Sequence, residues 1–390
     1  MEKQQIAIKL NYVREYNVDL ILNLLYKQPL SCLEISEKIG ISDVGVRKIV
    51  KQLETQGLLK IAQENELPRK KGNQHIRYTI NAAFGVFLII DFTHLSEKFT
   101  VFDYAGQCLL EKRFSIPYVE VNDEDLCRLI QDIKKTISDV GLDKKRLLNI
   151  QLSVPGQIDE QARCFTISHR FKKYENDYSG LFFRIFEDAF GVSVFAKNNV
   201  AYMAMGETEH GFSSKYGSAI YIFAGYGIAA SVLYKGNIVS GWRGYAGEIG
   251  GSKYGKDSTL SLNCSVLRLI YKCSPYLETQ DFEGLMKAYR TNETVKSIIL
   301  ESAEVLGAFI SAFANLIGSD IVMLGGESLN YGKEYLGKLT DYVKNHTIAK
   351  TDVLFSSLKD AAIWGALIEA RKQVVADYNA KKRAEAETEK

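Results

Sequence analysis

A chain of 390 residues is too long for a single core, and with 46% apolar and 25% charged residues its composition is that of two or three globular domains. No apolar run reaches the roughly 18 residues that span a bilayer, the opening "MEKQQIAIKLNYVREYN" is too polar for a signal peptide, and the six cysteines are scattered without a C-x-x-C pair. These features argue against a membrane span, a disulfide framework and a zinc site of standard spacing, and they read as a cytoplasmic protein with reduced thiols. The net charge of +2 hides an asymmetry, because residues 1–80 hold 13 Lys or Arg against 9 Asp or Glu. A basic head on a neutral body fits a nucleic-acid module joined to something else.

The head has a specific pattern. "NVDLILNLLY" (17–26) is apolar at Val18, Ile21, Leu22, Leu24 and Leu25, a helix with one buried face. After Pro29, "SCLEISEKIG" opens with Ser31 and Glu34 as a capping box and stops at Gly40. Ser42 caps a third helix, with Val46, Ile49, Val50 and Leu53 on its inner face. Val44, Gly45, Arg47, Lys48 and Lys51 then face outward. Two helices joined by a short turn, the second small and basic outside, predict a helix-turn-helix. "GLLKIA" and "HIRYTIN" predict two strands flanking a loop with Arg69, Lys70 and Lys71 at its tip, a wing suited to phosphates or the minor groove. The competing reading is a small helical dimerisation domain with a solvated basic loop.

From residue 84 strands take over. "FGVFLIIDF", "KFTVFDYAG" and "QCLLEKRF" predict a meander, followed by a helix and the strand "LLNIQLSVPG". A similar passage comes later: "GSAIYIFAGYG", "IAASVLYKG" and "NIVSGWRG", then long helices and "DIVMLGG". A duplicated unit of this kind predicts two α/β lobes with a ligand cleft between them. The tail "NAKKRAEAETEK" reads as a frayed, charged helix end.

With "LSVPGQID" (152–159), "KNNVAYMAMGE" (197–207), "GYAGEIGG" (244–251) and "MLGGES" (323–328) in this order, the chain resembles the ROK family of repressors and sugar kinases. The resemblance covers nearly the whole chain. It implies an α/β fold: an N-terminal winged helix-turn-helix followed by a two-lobed, actin-like (ribonuclease H-like duplicated) ATPase-type body. The corresponding domains are residues 1–82, lobes at 83–197 and 198–376 with the last helix returning to the first lobe, and a charged tail at 377–390.

Departures from the family pattern shape the expected function. ROK kinases carry an aspartate as general base at the position of Asn199, and an amide cannot accept that proton. The first phosphate loop keeps Asp91 but has Thr93, His94 and Leu95 where two glycines and a threonine belong, and the second is Gly225-Tyr226-Gly227. The family's zinc histidine is replaced by Gly251, and one nearby cysteine cannot make a four-ligand site, so no metal is expected. What remains for a sugar is Gly156, Asn198, Asn199 and Glu248. Asn199 could equally cap the helix that follows, and Glu248 could bond neighbouring N–H groups. Trp242 and Trp364 are expected to pack, and His94 to be exposed. The expectation is a dimeric or higher-order repressor, without enzymatic activity or cofactor, that binds a double-stranded inverted-repeat operator and a sugar. An active kinase with a DNA-binding head and a ligand-independent DNA binder are the alternatives.

Overall fold

Local signals build the N-terminal unit. The computed structural model describes residues 2–63, 76–93, 97–117, 120–208, 218–254, 256–319 and 321–388. Helix α1 (Glu2–Leu25) buries Val18, Ile21, Leu22 and Leu25. It begins well before the expected Asn17, because no Gly or Pro stands between Glu2 and Asn17 to break it. Strand β1 (Leu30–Ser31) leads into α2 (Cys32–Ile39), where the capping box forms. The Glu34 N–H donates to Ser31 Oγ at 3.3 Å, and the Ser31 N–H donates to Glu34 Oε2 at 2.8 Å. Gly40 ends α2 with φ +71°, a conformation that favours glycine. Helix α3 (Asp43–Thr55) buries Val46, Ile49, Val50 and Leu53, the predicted inner face.

Strands β2 (Leu59–Ile61) and β3 (Arg77–Ile80) pair antiparallel, with Leu59 opposite Ile80. They are the predicted wing strands, and β1 adds to β3 to give the order β1-β3-β2. Two residues are too few to show a strand pattern, so β1 has no sequence signal. Arg77 fastens this sheet to α2 through an ion pair with Glu34, and it donates to Pro29 O at 3.2 Å.

The body repeats one topology. Strands β4 (Val86–Asp91), β5 (Lys98–Asp103) and β6 (Cys108–Arg113) form an antiparallel meander, covered by α4 (Asp123–Asp139). Strand β7 (Leu147–Val154) joins β4 in parallel; the hairpin β8 (Gln157–Asp159) and β9 (Cys164–Ile167), α5 (Leu181–Phe190) and β10 (Val194–Asn198) follow. After α6 (Asn199–Gly206), β11 (Ser218–Ala224), β12 (Ile228–Tyr234) and β13 (Asn237–Ile238) repeat the meander. Then come α7 (Leu260–Cys264), α8 (Val266–Cys273), α9 (Phe282–Thr291) and α10 (Glu293–Ile317). Strand β14 (Ile321–Gly325), α11 (Gly332–His346), β15 (Asp352–Phe355) and α12 (Ala361–Thr388) complete the order. The sheets β6-β5-β4-β7-β10 and β13-β12-β11-β14-β15 correspond strand for strand. That is the duplicated, actin-like α/β architecture.

Helices α6 and α12 lie between the two sheets. One hydrophobic cluster joins Leu22 and Leu25 of the head, Tyr202 and Met203 of α6, Leu367 of α12, Phe87 of the first sheet and Met323 of the second. Every residue of α6 is buried. Close approach explains its small residues: a Cβ on Gly206 would collide with Ala361 O, and one on Gly365 with Tyr202 O. Helix α10 is apolar and long enough to cross a membrane by length and composition, but it is half buried against α11 and α7. Its hydrophobicity is that of a core helix.

Candidate functional site

The outer face of α3 is open. Ser42, Val44, Arg47, Lys48 and Lys51 are exposed, Val44 by 78%, and Gly45 is half-buried beneath them. Ser42 Oγ accepts from the Gly45 N–H at 3.3 Å, which fixes the start of the helix. Arg47 Nε donates to Asp43 Oδ2 at 2.7 Å, and Lys51 Nζ to Glu54 Oε2 at 2.8 Å. Exposed pairs of this kind are weak, so a phosphate oxygen can replace either carboxylate. Arg69, Lys70 and Lys71 lie outside the described residues.

The paired amides at the head of α6 divide their work. Asn198 is the N-cap: its Oδ1 accepts from Val200 N–H at 2.8 Å and Ala201 N–H at 3.4 Å. Its Nδ2 donates to Gly156 O at 2.8 Å. Gly156 needs to be glycine, since its φ is +134° and a Cβ there would lie 2.6 Å from Ile167 O. Asn199 departs from the expected placement. It is 8% exposed, its Oδ1 accepts from Val200 N–H at 3.0 Å, and its Nδ2 donates to Thr93 Oγ1 at 3.2 Å. Thr93 Oγ1 in turn donates to Asp91 Oδ1 at 2.7 Å. Burial pushes the Asp91 carboxyl up, partly offset by these hydrogen bonds. Both ends of the Asn199 amide are engaged inside the protein.

Glu248 is exposed, and its Oε1 accepts from Gln157 Nε2. Gln157 is 5% exposed and directly follows Gly156, so one turn carries contacts to both Asn198 and Glu248. The segment around Glu248 follows the second meander and docks on the hairpin of the first lobe. A Cβ on Gly244 would collide with Ile158 O. Arg243, at φ +52°, donates to Tyr178 Oη at 2.6 Å and Asn176 Oδ1 at 3.2 Å, with Asp159 3.7 Å away. The geometry thus brings Gly156, Asn198 and Glu248 around one turn and turns Asn199 inward. Gln157 and Arg243 carried no recognisable signal, because their partners are distant in the chain.

The ROK family profile matches residues 90–373. This chain belongs to the ROK family. A xylose repressor of Caldicellulosiruptor bescii is 21% identical over 385 residues, covering 90% of this chain and 94% of that protein. An N-acetylglucosamine repressor of Shigella flexneri is 23% identical over 364 residues, covering 85% and 87%. Among solved structures, a ROK family transcriptional regulator homologous to the Escherichia coli MLC protein superposes with a TM-score of 0.76 at 18% identity, covering 94% of this chain and 97% of that one. A ROK hexokinase from Thermus thermophilus gives 0.60 at 20% identity, covering 74% and 99%. These superpositions establish the fold.

Other ROK motifs have taken structural roles. Cys264 is buried, its Sγ donates to Ser302 O at 3.4 Å, and burial pushes its thiol up to about 12. Among the described residues no three His, Cys, Asp or Glu side chains gather as a metal would require. Glu207, closing the "GE" motif, is 2% exposed, accepts from Ser356 Oγ, and is raised by burial. Trp364 packs on Phe102 at 5.6 Å as expected. Trp242 does not pack as expected: it is 77% exposed, with the Arg243 guanidinium 5.6 Å from its ring. His94 lies outside the described residues. A cleft of about 850 Å³ opens between α1 and α12, where Glu15, Asp19, Tyr26 and Arg371 line the junction of head and body.

Proposed function

We propose that this ROK chain is a DNA-binding repressor of sugar-utilisation genes, acting in the cytoplasm as a homodimer that senses a sugar without phosphorylating it. The observation that carries this reading is a single structural combination. An open, basic α3 is joined through one continuous core to a body whose base position is the inward-turned amide of Asn199. An amide cannot take the proton of a sugar hydroxyl as that hydroxyl attacks phosphate. The repressors of similar length named for xylose and N-acetylglucosamine support a sugar as the ligand class.

In this reading α3 enters the major groove, with Arg47, Lys48 and Lys51 on bases and phosphates, and two heads of a dimer read an inverted repeat. The sugar binds beside the Gly156 turn, its hydroxyls bonding Asn198 and Glu248, while Asn199 supports the strand ends from behind. A ligand that rearranges the Gln157–Glu248 contact shifts the population of lobe arrangements, and DNA responds only to that difference. The test is fluorescence anisotropy with DNA flanking neighbouring sugar genes, titrated with a sugar panel, alongside an ATP-dependent phosphorylation assay. Saturable operator binding relieved or enhanced by one sugar supports the reading. Turnover of a sugar, lost on mutation of Glu248, overturns it in favour of a kinase.

A further inference from the structure

Trp242 sits in a loop with little freedom. Gly241, just before it, takes φ +68°, and a Cβ there would lie 3.0 Å from the Ala246 side chain. Arg243, just after it at φ +52°, is fastened to Tyr178 and Asn176 of the first lobe. The backbone is thus pinned on both sides of the indole. The ring meets the Arg243 guanidinium at 5.6 Å and the Tyr245 ring at 5.8 Å, and it stays 77% exposed. A large ring fixed in water without apolar cover is a surface that a ligand gains by covering. It stands at a cavity of about 570 Å³ where the end of β8, the loop after β13 and α12 meet. That volume falls within the range of small-ligand sites, roughly 300–1,000 Å³.

The walls of this cavity carry no net charge. The carboxylates of Asp159, Glu160 and Glu369 stand against the cations of Lys197, Arg243 and Lys372. Lys197 Nζ reaches Glu160 Oε1 at 2.6 Å, and Arg243 Nε lies 3.7 Å from Asp159 Oδ2. A ligand charged with either sign meets as much repulsion as attraction here. Donors and acceptors of both kinds beside an exposed indole suit a neutral ring instead, with hydroxyls at its rim and C–H groups on its faces. That is the chemistry of a pyranose. The cavity also adjoins the Gly156 turn along one strand. In β8, Gln157 bonds Glu248, and the next two residues, Ile158 and Asp159, line the cavity. The loop that carries Trp242 packs on the same strand, with Gly244 against Ile158 O.

We propose that this cavity is a second saccharide subsite, in which Trp242 stacks on the neighbouring unit of a neutral oligosaccharide whose first unit lies at the Gly156 turn. The inference rests on the sugar-sensing reading above and narrows its ligand from a single sugar to a linked one. Xylose, glucose and N-acetylglucosamine are titrated calorimetrically into the full chain, beside xylobiose, cellobiose, maltose and N,N′-diacetylchitobiose. At least one disaccharide should bind about tenfold more tightly than its monosaccharide, or better. Trp242→Ala should bring that disaccharide down to the affinity of its monosaccharide and leave the monosaccharide unchanged. Trp242→Phe keeps an aromatic face and should retain part of the gain. The same disaccharide should shift the tryptophan emission of the wild type but not of Trp242→Phe, because the chain's other tryptophan, Trp364, is packed on Phe102. Equal affinity for one unit and two, or a disaccharide preference that survives in Trp242→Ala, overturns the subsite and leaves the sugar-sensing reading standing. Silence of every sugar removes both. A wild type that binds saccharides but no operator sinks the repressor reading and leaves the subsite intact.

Discussion

Arg371 of α12 lays its guanidinium 3.9 Å from the centre of the Tyr26 ring, just beyond the end of α1. The same side chain donates to Ala105 O at 2.7 Å, in the turn between β5 and β6. One residue therefore ties the head, the first sheet and the long C-terminal helix together. Gly106 makes room for it, since a Cβ there would collide with Arg371 Nη2. Arg371→Ala should weaken the junction by about 2 kcal/mol, the size of a desolvated cation–π contact. Limited proteolysis should then cut faster between residues 81 and 85. Unchanged cleavage rates would show that the head is held by apolar packing alone.

The α3 face is tested by removing charge. The Arg47→Ala, Lys48→Ala double variant should lose operator affinity by roughly ten- to hundredfold, with a shallower salt dependence. The α3 core residues Val46 and Val50 are untouched, so thermal stability should hold. Full affinity in the double variant would remove α3 as the reading helix.

Restoring the family carboxylate should not restore catalysis. In an Asn199→Asp variant the new carboxylate meets Thr93 Oγ1, whose one hydrogen already goes to buried Asp91. Two carboxylates would then share one donor in a closed place. The expected result is a destabilised protein, by about 1–3 kcal/mol in a denaturant midpoint, without sugar phosphorylation. A stable variant that turns over ATP and sugar would mean that the phosphate loops are sound.

Glu248 and Gln157 should separate binding from holding. Glu248→Ala should abolish the sugar response and leave operator binding intact, because its carboxylate is the exposed acceptor beside the Gly156 turn. Gln157→Ala frees that acceptor and should change sugar affinity without abolishing it. Anisotropy titrations of both variants against wild type measure the two effects. Sugar response surviving in Glu248→Ala would move the ligand elsewhere.

Glu207 gives a pH dependence with a definite sign. Burial raises its carboxyl above the ordinary value of 4.5, so between that value and its folded one the native state holds more protons than the unfolded state. Its contribution to stability is thus full at low pH and is lost as pH rises through this window. Glu207→Gln keeps an acceptor for Ser356 and cannot ionise. Its melting temperature relative to wild type should climb from pH 4 toward neutrality; a difference that is flat in pH would show that Glu207 stays neutral or well solvated.

Periodic and local features were legible. The Ser31–Glu34 box and the four inner residues of α3 follow from spacing alone, because both are made within a few residues. The duplicated meander showed as repeated strand runs. Which amide would face a ligand did not, since Asn199 is turned inward by Thr93, 106 positions earlier in the chain. Gln157 and Glu248 meet across 91 positions, and Glu327 reaches Gly225 across 102. Trp242 was misread for a related reason: whether an indole is covered depends on which distant segment lies over it. Residue type announces a capability, and long-range contacts decide whether it is used.

The crossing of α6 and α12 has a consequence for biosynthesis. The inner faces of both sheets are sealed by α6 and by a helix that leaves the ribosome after every strand it covers. Head and body share one hydrophobic cluster, so neither is complete without α12, and until residues 361–388 emerge the chain presents Leu22, Phe87, Tyr202 and Met323 to chaperones and to other nascent chains. Chains stopped before Ala361 should therefore aggregate, because they lack the helix that closes the shared core of head and body.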